Sequence, residues 1–150
     1  MRFMQMFTGI TVSFVLVACA AVQGYEGPAL PDDETALIAT STRGDRDGWD
    51  YRSYFTAIDV DTPLENVANV RVLPGRRCVT LRLIREGARG ASPRGRTGST
   101  GSSLCFEAIA GRTYETRVDR SRRPIPTWLV DLETGETVAE GTFGPVPVRP

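Results

Sequence analysis

Histidine and lysine are both missing from the 150-residue chain, and cysteine occurs only three times. Without an imidazole, Ser-His-Asp and Cys-His catalysis, histidine metal sites and histidine-based pH sensing are excluded within this chain. The 18 basic residues are all arginine, and 18 acidic residues balance them, so no charged field points to nucleic acid. We therefore expect a protein that is not an enzyme and needs no cofactor.

Long apolar runs are also scarce, and the one that stands out covers residues 7–18, after Arg2. A transmembrane helix needs about 20 apolar residues, so this run is too short to span a bilayer. It falls within the roughly 7–15 residues of a secretory signal. It has no polar face of the kind that an amphipathic helix of a globular domain shows. The run predicts a helical signal peptide over residues 1–18.

The apolar run ends in Leu16, Val17, Ala18 and Cys19. This order resembles the lipobox of bacterial lipoproteins. The resemblance implies cleavage between Ala18 and Cys19, diacylglycerol on the Cys19 thiol, and a further fatty acid such as palmitate on the new amino terminus. More than one acyl chain is needed for stable membrane anchoring. Ala20 stands where inner-membrane retention calls for aspartate, which implies the outer membrane, facing the periplasm.

The remaining chain is long enough for one domain. Residues 19–33 contain glycines, prolines and few large apolar side chains, and they are interpreted as the lipidated cysteine and a flexible tether. Short apolar segments separated by turn residues then predict an all-β domain over residues 34–150. The predicted strands cover residues 35–40, 53–60, 67–73, 77–85, 103–110, 113–118, 127–131 and 137–140. Residues 89–103 are rich in glycine, serine and arginine, which predicts a mobile loop.

Apolar residues alternate with polar ones in several of these segments, as in Val79, Leu81 and Leu83. This period of two places the apolar side chains on one face of a sheet. Two such faces can share one core, so the pattern favours a small antiparallel β-sandwich. Pro74-Gly75, Ala110-Gly111 and Thr134-Gly135 predict the turns.

Several short motifs follow one another in a characteristic order along this domain. They include Tyr25-Glu26-Gly27-Pro28, Val72-Leu73-Pro74-Gly75-Arg76, Gly111-Arg112-Thr113-Tyr114 and Trp128-Leu129-Val130-Asp131. Their order resembles small bacterial envelope lipoproteins of unknown function. It is also similar to PEGA-type and transthyretin-like β-sandwich modules. The resemblance implies a fold and a location, and it implies no activity.

A disulfide bond is expected between Cys78 and Cys105. If their two strands pair antiparallel with Val79 opposite Leu104, the cysteines face each other on the side away from the core. Cysteines on neighbouring strands can meet disulfide geometry, and an exported compartment is oxidising. A reactive thiol or a redox pair is the alternative, but a CxxC spacing is missing.

An acidic loop before the second predicted strand raises the question of calcium, because Asp45, Asp47 and Asp50 surround a glycine. Calcium prefers oxygen ligands. The EF-hand spacing is incomplete, and nearby arginines neutralise the carboxylates. A solvated hairpin loop is therefore favoured over a metal site.

Aromatic residues are the other ligand-binding candidates. Trp49, Tyr51 and Tyr54 lie close together in the sequence, and Trp49 is expected to be exposed. Trp128 lies beside Leu129, so it is interpreted as filling the core or covering its edge, with a sugar or peptide platform as the alternative.

Three classes of function follow from this reading. We favour a lipid-anchored, non-catalytic envelope protein with a structural or protein-interaction role, whose partners are the membrane lipid and another envelope protein or glycan. A carbohydrate-, peptidoglycan- or partner-binding module is the alternative. A calcium-stabilised domain is the second alternative.

Overall fold

The computed structural model of the chain describes residues 21–41, 50–59, 62–86 and 100–145. The structure of these segments is all-β, as predicted. Its strands are β1 (Val22–Gln23), β2 (Ala36–Thr40), β3 (Asp50–Ile58), β4 (Thr62–Val67), β5 (Asn69–Val72), β6 (Gly75–Glu86), β7 (Thr100–Ala108), β8 (Thr113–Val118), β9 (Ile125–Asp131) and β10 (Thr137–Pro145). None of these described segments forms a helix with the length and apolar character that crossing a membrane requires. The predicted signal helix over residues 1–18 and the signal-cleavage residues lie outside the described residues.

The strands form one nearly closed, barrel-like sheet in the order β1-β5-β2-β8-β9-β10-β7-β6-β3-β4. The prediction of a sandwich with two separate sheets is therefore wrong. β10 joins the two halves, because it pairs with β9 through Thr137–Phe143 and with β7 through Gly144 and Pro145. The sheet is also mixed, since β1 pairs parallel with β5 and β2 parallel with β8.

The core fills the inside of this curved sheet. It is formed by the apolar side chains of the strands in which apolar and polar residues were predicted to alternate. Val79 and Leu81 are fully buried and Leu83 is nearly so, and Leu104 and Phe106 follow the same pattern on the neighbouring strand. The largest fully buried side chains come from both halves of the sheet and include Tyr114, Phe55, Ile38, Ile58, Leu81, Leu104 and Leu129. The alternate side chains of these strands consequently form the outer face.

The predicted turns are present, and two of the strands, β1 and β4, were not expected. Gly75, Gly111 and Gly135 all adopt positive φ, the backbone conformation that glycine tolerates best. The expected strand over residues 67–73 is only β5, and β4 precedes it as an edge strand. Pro63 argues against a strand at the position of β4, because proline has no amide hydrogen to donate. Proline is nevertheless compatible with a strand at the edge of a sheet.

The expected tether packs against the domain over the part that the structure describes. β1 pairs with β5, and the Gly24 amide donates to the Arg71 carbonyl at 2.8 Å. Further along, the Leu30 amide donates to the hydroxyl of Tyr25 at 3.0 Å. A flexible spacer is thus replaced by a short strand and hydrogen-bonded turns, because β5 offers an open edge to this segment. Cys19 itself lies outside the described residues.

The predicted mobile loop over residues 89–103 is shorter than expected at its end. β7 begins at Thr100, so the last four residues of that range belong to a strand. Residues 87–99 lie outside the described part of the chain.

A substitution at Gly141 in β10 tests how closely β10 packs against the core. A Cβ atom at this position would lie 2.9 Å from Leu104 Cδ2 and 2.9 Å from Ser102 Oγ. We expect Gly141→Ala to lower the free energy of unfolding by about 1–3 kcal/mol, the usual cost of overpacking. Gly144→Ala in the same strand is the matched control, since nothing lies within 4 Å of its Cβ position. Urea unfolding of both variants measures the difference, and equal stability would contradict the close packing.

Candidate functional site

The Cys78–Cys105 disulfide bond lies on the outer face of the β6–β7 pair. The two cysteines are register partners, and Val79 pairs with Leu104, as predicted. The S–S distance is 2.05 Å and the Cα–Cα distance is 4.0 Å. Because Val79 and Leu104 are buried, their cysteine neighbours face away from the core. The disulfide prediction is confirmed.

Asp59 holds the backbone beside this disulfide. Its amide donates to the Cys78 carbonyl at 2.7 Å, and its Oδ1 accepts the Cys78 amide at 2.9 Å. Its Oδ2 accepts from the Arg77 guanidinium at 3.1 Å. Asp59 therefore fixes the end of β3 against β6, and these bonds give its carboxylate a structural role.

The predicted ligand residues do not come together in one described site. Trp49 lies outside the described residues, and of Tyr51 only the backbone, within β3, is described. Tyr54 is half-buried and lies on the outer face, between buried Ser53 and Phe55. Its register partner on β6 is Arg82.

The calcium candidates also fall mostly beyond the described part of the chain. Asp45 and Asp47 lie outside it, and Asp50 is the first residue of β3, with only its backbone described. The described segments contain no group of three or more histidine, cysteine, aspartate or glutamate residues that could hold a metal ion.

A concave surface lies on the outer face of β9 and β10, and Trp128 is one of the residues that line it. Trp128 is half-buried, whereas its neighbours Thr127 and Leu129 are fully buried. Its register partner on β10 is Glu140, which is exposed. We call this surface the Trp128 groove; its volume is about 600 Å³, and it is lined by Asp119, Arg122, Pro126, Thr127, Trp128, Thr137, Glu140, Gly141 and Thr142.

The loop between β8 and β9 forms one wall of the Trp128 groove. Asp119 accepts hydrogen bonds from the Ser121 hydroxyl at 2.6 Å and from the Ser121 amide at 3.0 Å. These two bonds lower the pKa of Asp119, so its carboxylate is ionised at neutral pH. Its other oxygen pairs with Arg122 Nε at 3.2 Å. The lining of the groove thus includes two carboxylates, one guanidinium, three threonine side chains and one indole ring.

Trp128 does not fill the core but lies half-buried on the outer face, and the other two interpretations, that it covers the edge of the core or serves as a ligand platform, stay predictions. The sequence holds a partial signal for the outward position. Alternation with Leu129 would place Trp128 outside whenever Leu129 points inside. The signal is weak because Leu129, Val130 and Asp131 are all buried, so the end of β9 shows no clean period of two. The irregularity of β10 between Thr137 and Ala139 adds a shift in register that the turn residues alone do not reveal.

A second polar cluster surrounds Asp131, whose side chain is only 3% exposed. Arg112 Nη1 donates to its Oδ2 at 2.6 Å, and the Glu133 amide donates to its Oδ1 at 2.9 Å. Burial raises the pKa of Asp131, but the bonds from Arg112 and from the amides of Glu133 and Thr134 outweigh it, and the net pKa is lowered. All these contacts satisfy a buried carboxylate, so the cluster stabilises the β9–β10 turn.

Comparison of the chain with protein-family models, with curated proteins and with solved structures finds no match.

Removing the disulfide tests its contribution to stability. The bond joins residues 27 apart in sequence, and closing such a loop contributes about 3–4 kcal/mol in the chain-entropy model. We expect Cys78→Ala/Cys105→Ala to lose a comparable amount in urea unfolding. Adding reductant should destabilise the wild type and leave the double variant unchanged. Two free thiols in non-reduced protein, measured by alkylation and intact mass, would refute the bond.

Asp131 should make stability fall in acid. Its pKa is lower in the folded chain than in the unfolded chain, so its contribution is present above about pH 4 and is lost as the pH falls through the folded value. We expect Asp131→Asn to lower the free energy of unfolding at pH 7 by roughly 1–3 kcal/mol and to flatten the loss in acid. Glu136→Gln is the control, because Glu136 is exposed and lies at the same turn. An acid dependence equal in wild type and Asp131→Asn would contradict this role.

Proposed function

We propose that the protein is a non-catalytic lipoprotein of the bacterial cell envelope, anchored through lipid on Cys19 and active in structural or protein-protein contacts. The anchor follows from the resemblance of Leu16–Cys19 to a lipobox at the end of an apolar run. Its location is the outer membrane, facing the periplasm. Its partners are the membrane lipid and another component of the envelope.

The observation that carries this proposal is the Cys78–Cys105 disulfide. Disulfides form and persist in oxidising compartments and are rare in the cytosol. A domain that places one on the outer face of its sheet is therefore suited to the space beyond the cytoplasmic membrane. With these two cysteines paired, Cys19 is the remaining cysteine of the three.

The surroundings of the buried ionisable groups support a non-catalytic role. Asp131 is paired with Arg112, and the buried Tyr114 hydroxyl accepts the Ile109 amide at 3.1 Å. Both groups are held in hydrogen bonds that stabilise the fold. The chain also supplies no imidazole to serve as a general base.

A second candidate function is a module that binds carbohydrate, peptidoglycan or a partner protein. The Trp128 groove favours it, because it combines a partly exposed aromatic ring with convergent polar side chains. The two candidates are compatible, since a lipid-anchored domain can carry a ligand site on its outer face.

Metabolic labelling with a clickable fatty acid tests the anchor. In a host that acylates lipoproteins, the wild-type chain should be labelled, cut before Cys19 and recovered with membranes. Cys19→Ser should remain unlabelled and keep its leader or become soluble. The matched control is Cys78→Ser/Cys105→Ser, which removes the other two thiols and should keep the label.

An unlabelled wild-type chain would overturn the lipid anchor. Label that persists in Cys19→Ser and disappears from the double variant would assign the modification to the wrong cysteine. Mature-length protein that stays with membranes after Cys19→Ser would also contradict the proposal.

A further inference from the structure

We infer that the Trp128 groove binds a neutral pyranose ring of a glycan chain. The inference rests on the second candidate function above and specifies its site and its class of ligand. It places recognition on the outer face of β9 and β10, away from the aromatic residues of β3. β10, β7 and β6 lie between β9 and β3, a path of roughly 19 Å along the curved sheet at the usual spacing of strands.

The floor of the groove supplies the apolar contact that a pyranose needs. A pyranose ring presents C–H groups on its faces and hydroxyls around its edge, so it pairs with a flat aromatic surface. Trp128 is half-buried, and its strand is fixed by pairing to β8 on one side and to β10 on the other. The backbone that carries the large, amphipathic indole is thereby fixed by the sheet, so little backbone ordering is required on binding.

The rim of the groove supplies hydrogen bonds for the sugar edge. Glu140 lies directly opposite Trp128 across β9 and β10, and Asp119 approaches from the β8–β9 loop. Ionised carboxylates accept hydrogen bonds from hydroxyls. A guanidinium carries five N–H donors, and the pair with Asp119 uses the Nε one of Arg122. Thr137 and Thr142 can both donate and accept.

Charge and shape select a neutral ligand. Asp119, Glu140 and Arg122 are the charged residues of the lining, and Asp119 and Arg122 pair with each other, which leaves Glu140 as the uncompensated charge of the lining and disfavours an anionic polymer. The volume of about 600 Å³ lies within the roughly 300–1,000 Å³ of small-molecule sites. A sugar unit fits this size and charge.

A peptide fits the same surface less well. Extended peptides commonly bind by adding a strand to an open sheet edge. The floor strand β9 is hydrogen-bonded on both sides, so it offers no such edge. The carbon-rich lining side chains are Pro126 and Trp128, and the other side chains of the groove are polar or charged. The groove therefore has no deep apolar pocket for a peptide side chain.

Calorimetric titration of the full-length chain tests the inference, in a detergent without a sugar headgroup. The probes are a β-1,4-linked glucose hexamer and a β-1,4-linked N-acetylglucosamine hexamer, whose relative affinities distinguish a plain from an acetamido sugar. An uncharged hexapeptide is the third probe. We expect at least one oligosaccharide to bind, and Trp128→Ala to weaken it by roughly tenfold or more.

Two matched controls separate the groove from the rest of the chain. Trp49→Ala removes the other tryptophan and should keep the affinity. Glu140→Gln should weaken binding several-fold, whereas Glu136→Gln, at the exposed β9–β10 turn, should not. Trp128→Phe should keep part of the affinity, and it replaces Trp128→Ala if that variant fails to fold.

Binding of neither oligosaccharide, equal affinity in wild type and Trp128→Ala, or binding of the peptide in their place would each overturn the inference. Cys19→Ser should bind the oligosaccharide with unchanged affinity. The result is therefore independent of the lipid anchor, and either proposal can fail without the other.

Discussion

The shared strand β10 is the constraint on which the rest of the structure depends. It hydrogen-bonds to β9 along most of its length and reaches β7 with its last two residues. The two halves of the sheet are thereby forced to curve around a single core. Gly141 permits the close approach, because its missing side chain leaves room for Leu104 and Ser102. The outer face that results carries both the disulfide and the Trp128 groove.

The sequence predicts the β6–β7 pair well, because its alternation is strict. Val79 and Leu104 are buried, and the intervening positions can only face outward, so the partner of Cys78 follows from the register. The same argument fails for β9, where Leu129 and Val130 are both buried. The pattern therefore does not decide whether Trp128 fills the core or covers its edge, and it gives no indication of the groove around it.

Long-range pairing accounts for the other differences. β1 is only two residues long and depends on β5, almost fifty residues further along the chain. Composition alone reads that segment as a spacer, since its glycines and prolines are equally suited to turns. Whether ten strands close around one core or divide into two sheets depends on the extra reach of β10 beyond residue 143. No local sequence pattern predicts that the last two residues of β10 pair with β7.

The disulfide and the groove occupy different halves of the outer face. The Cys78–Cys105 bond and the Asp59 contacts hold β6 to its neighbours, while the groove lies over β9 and β10. The ligand site that we propose thus lies on strands that the bond does not cross-link. The Arg112–Asp131 pair secures the turn that joins those strands.

The packing of β1 against the sheet also limits how far the domain can stand from an anchor. Only Ala20 and Ala21 separate Cys19 from Val22, where β1 begins. Three residue steps reach at most about 11 Å. If Cys19 carries lipid, the domain must lie close to the lipid headgroups, because no long tether separates it from the membrane. The groove, four strands from β1, then samples only molecules that come within a few nanometres of the bilayer.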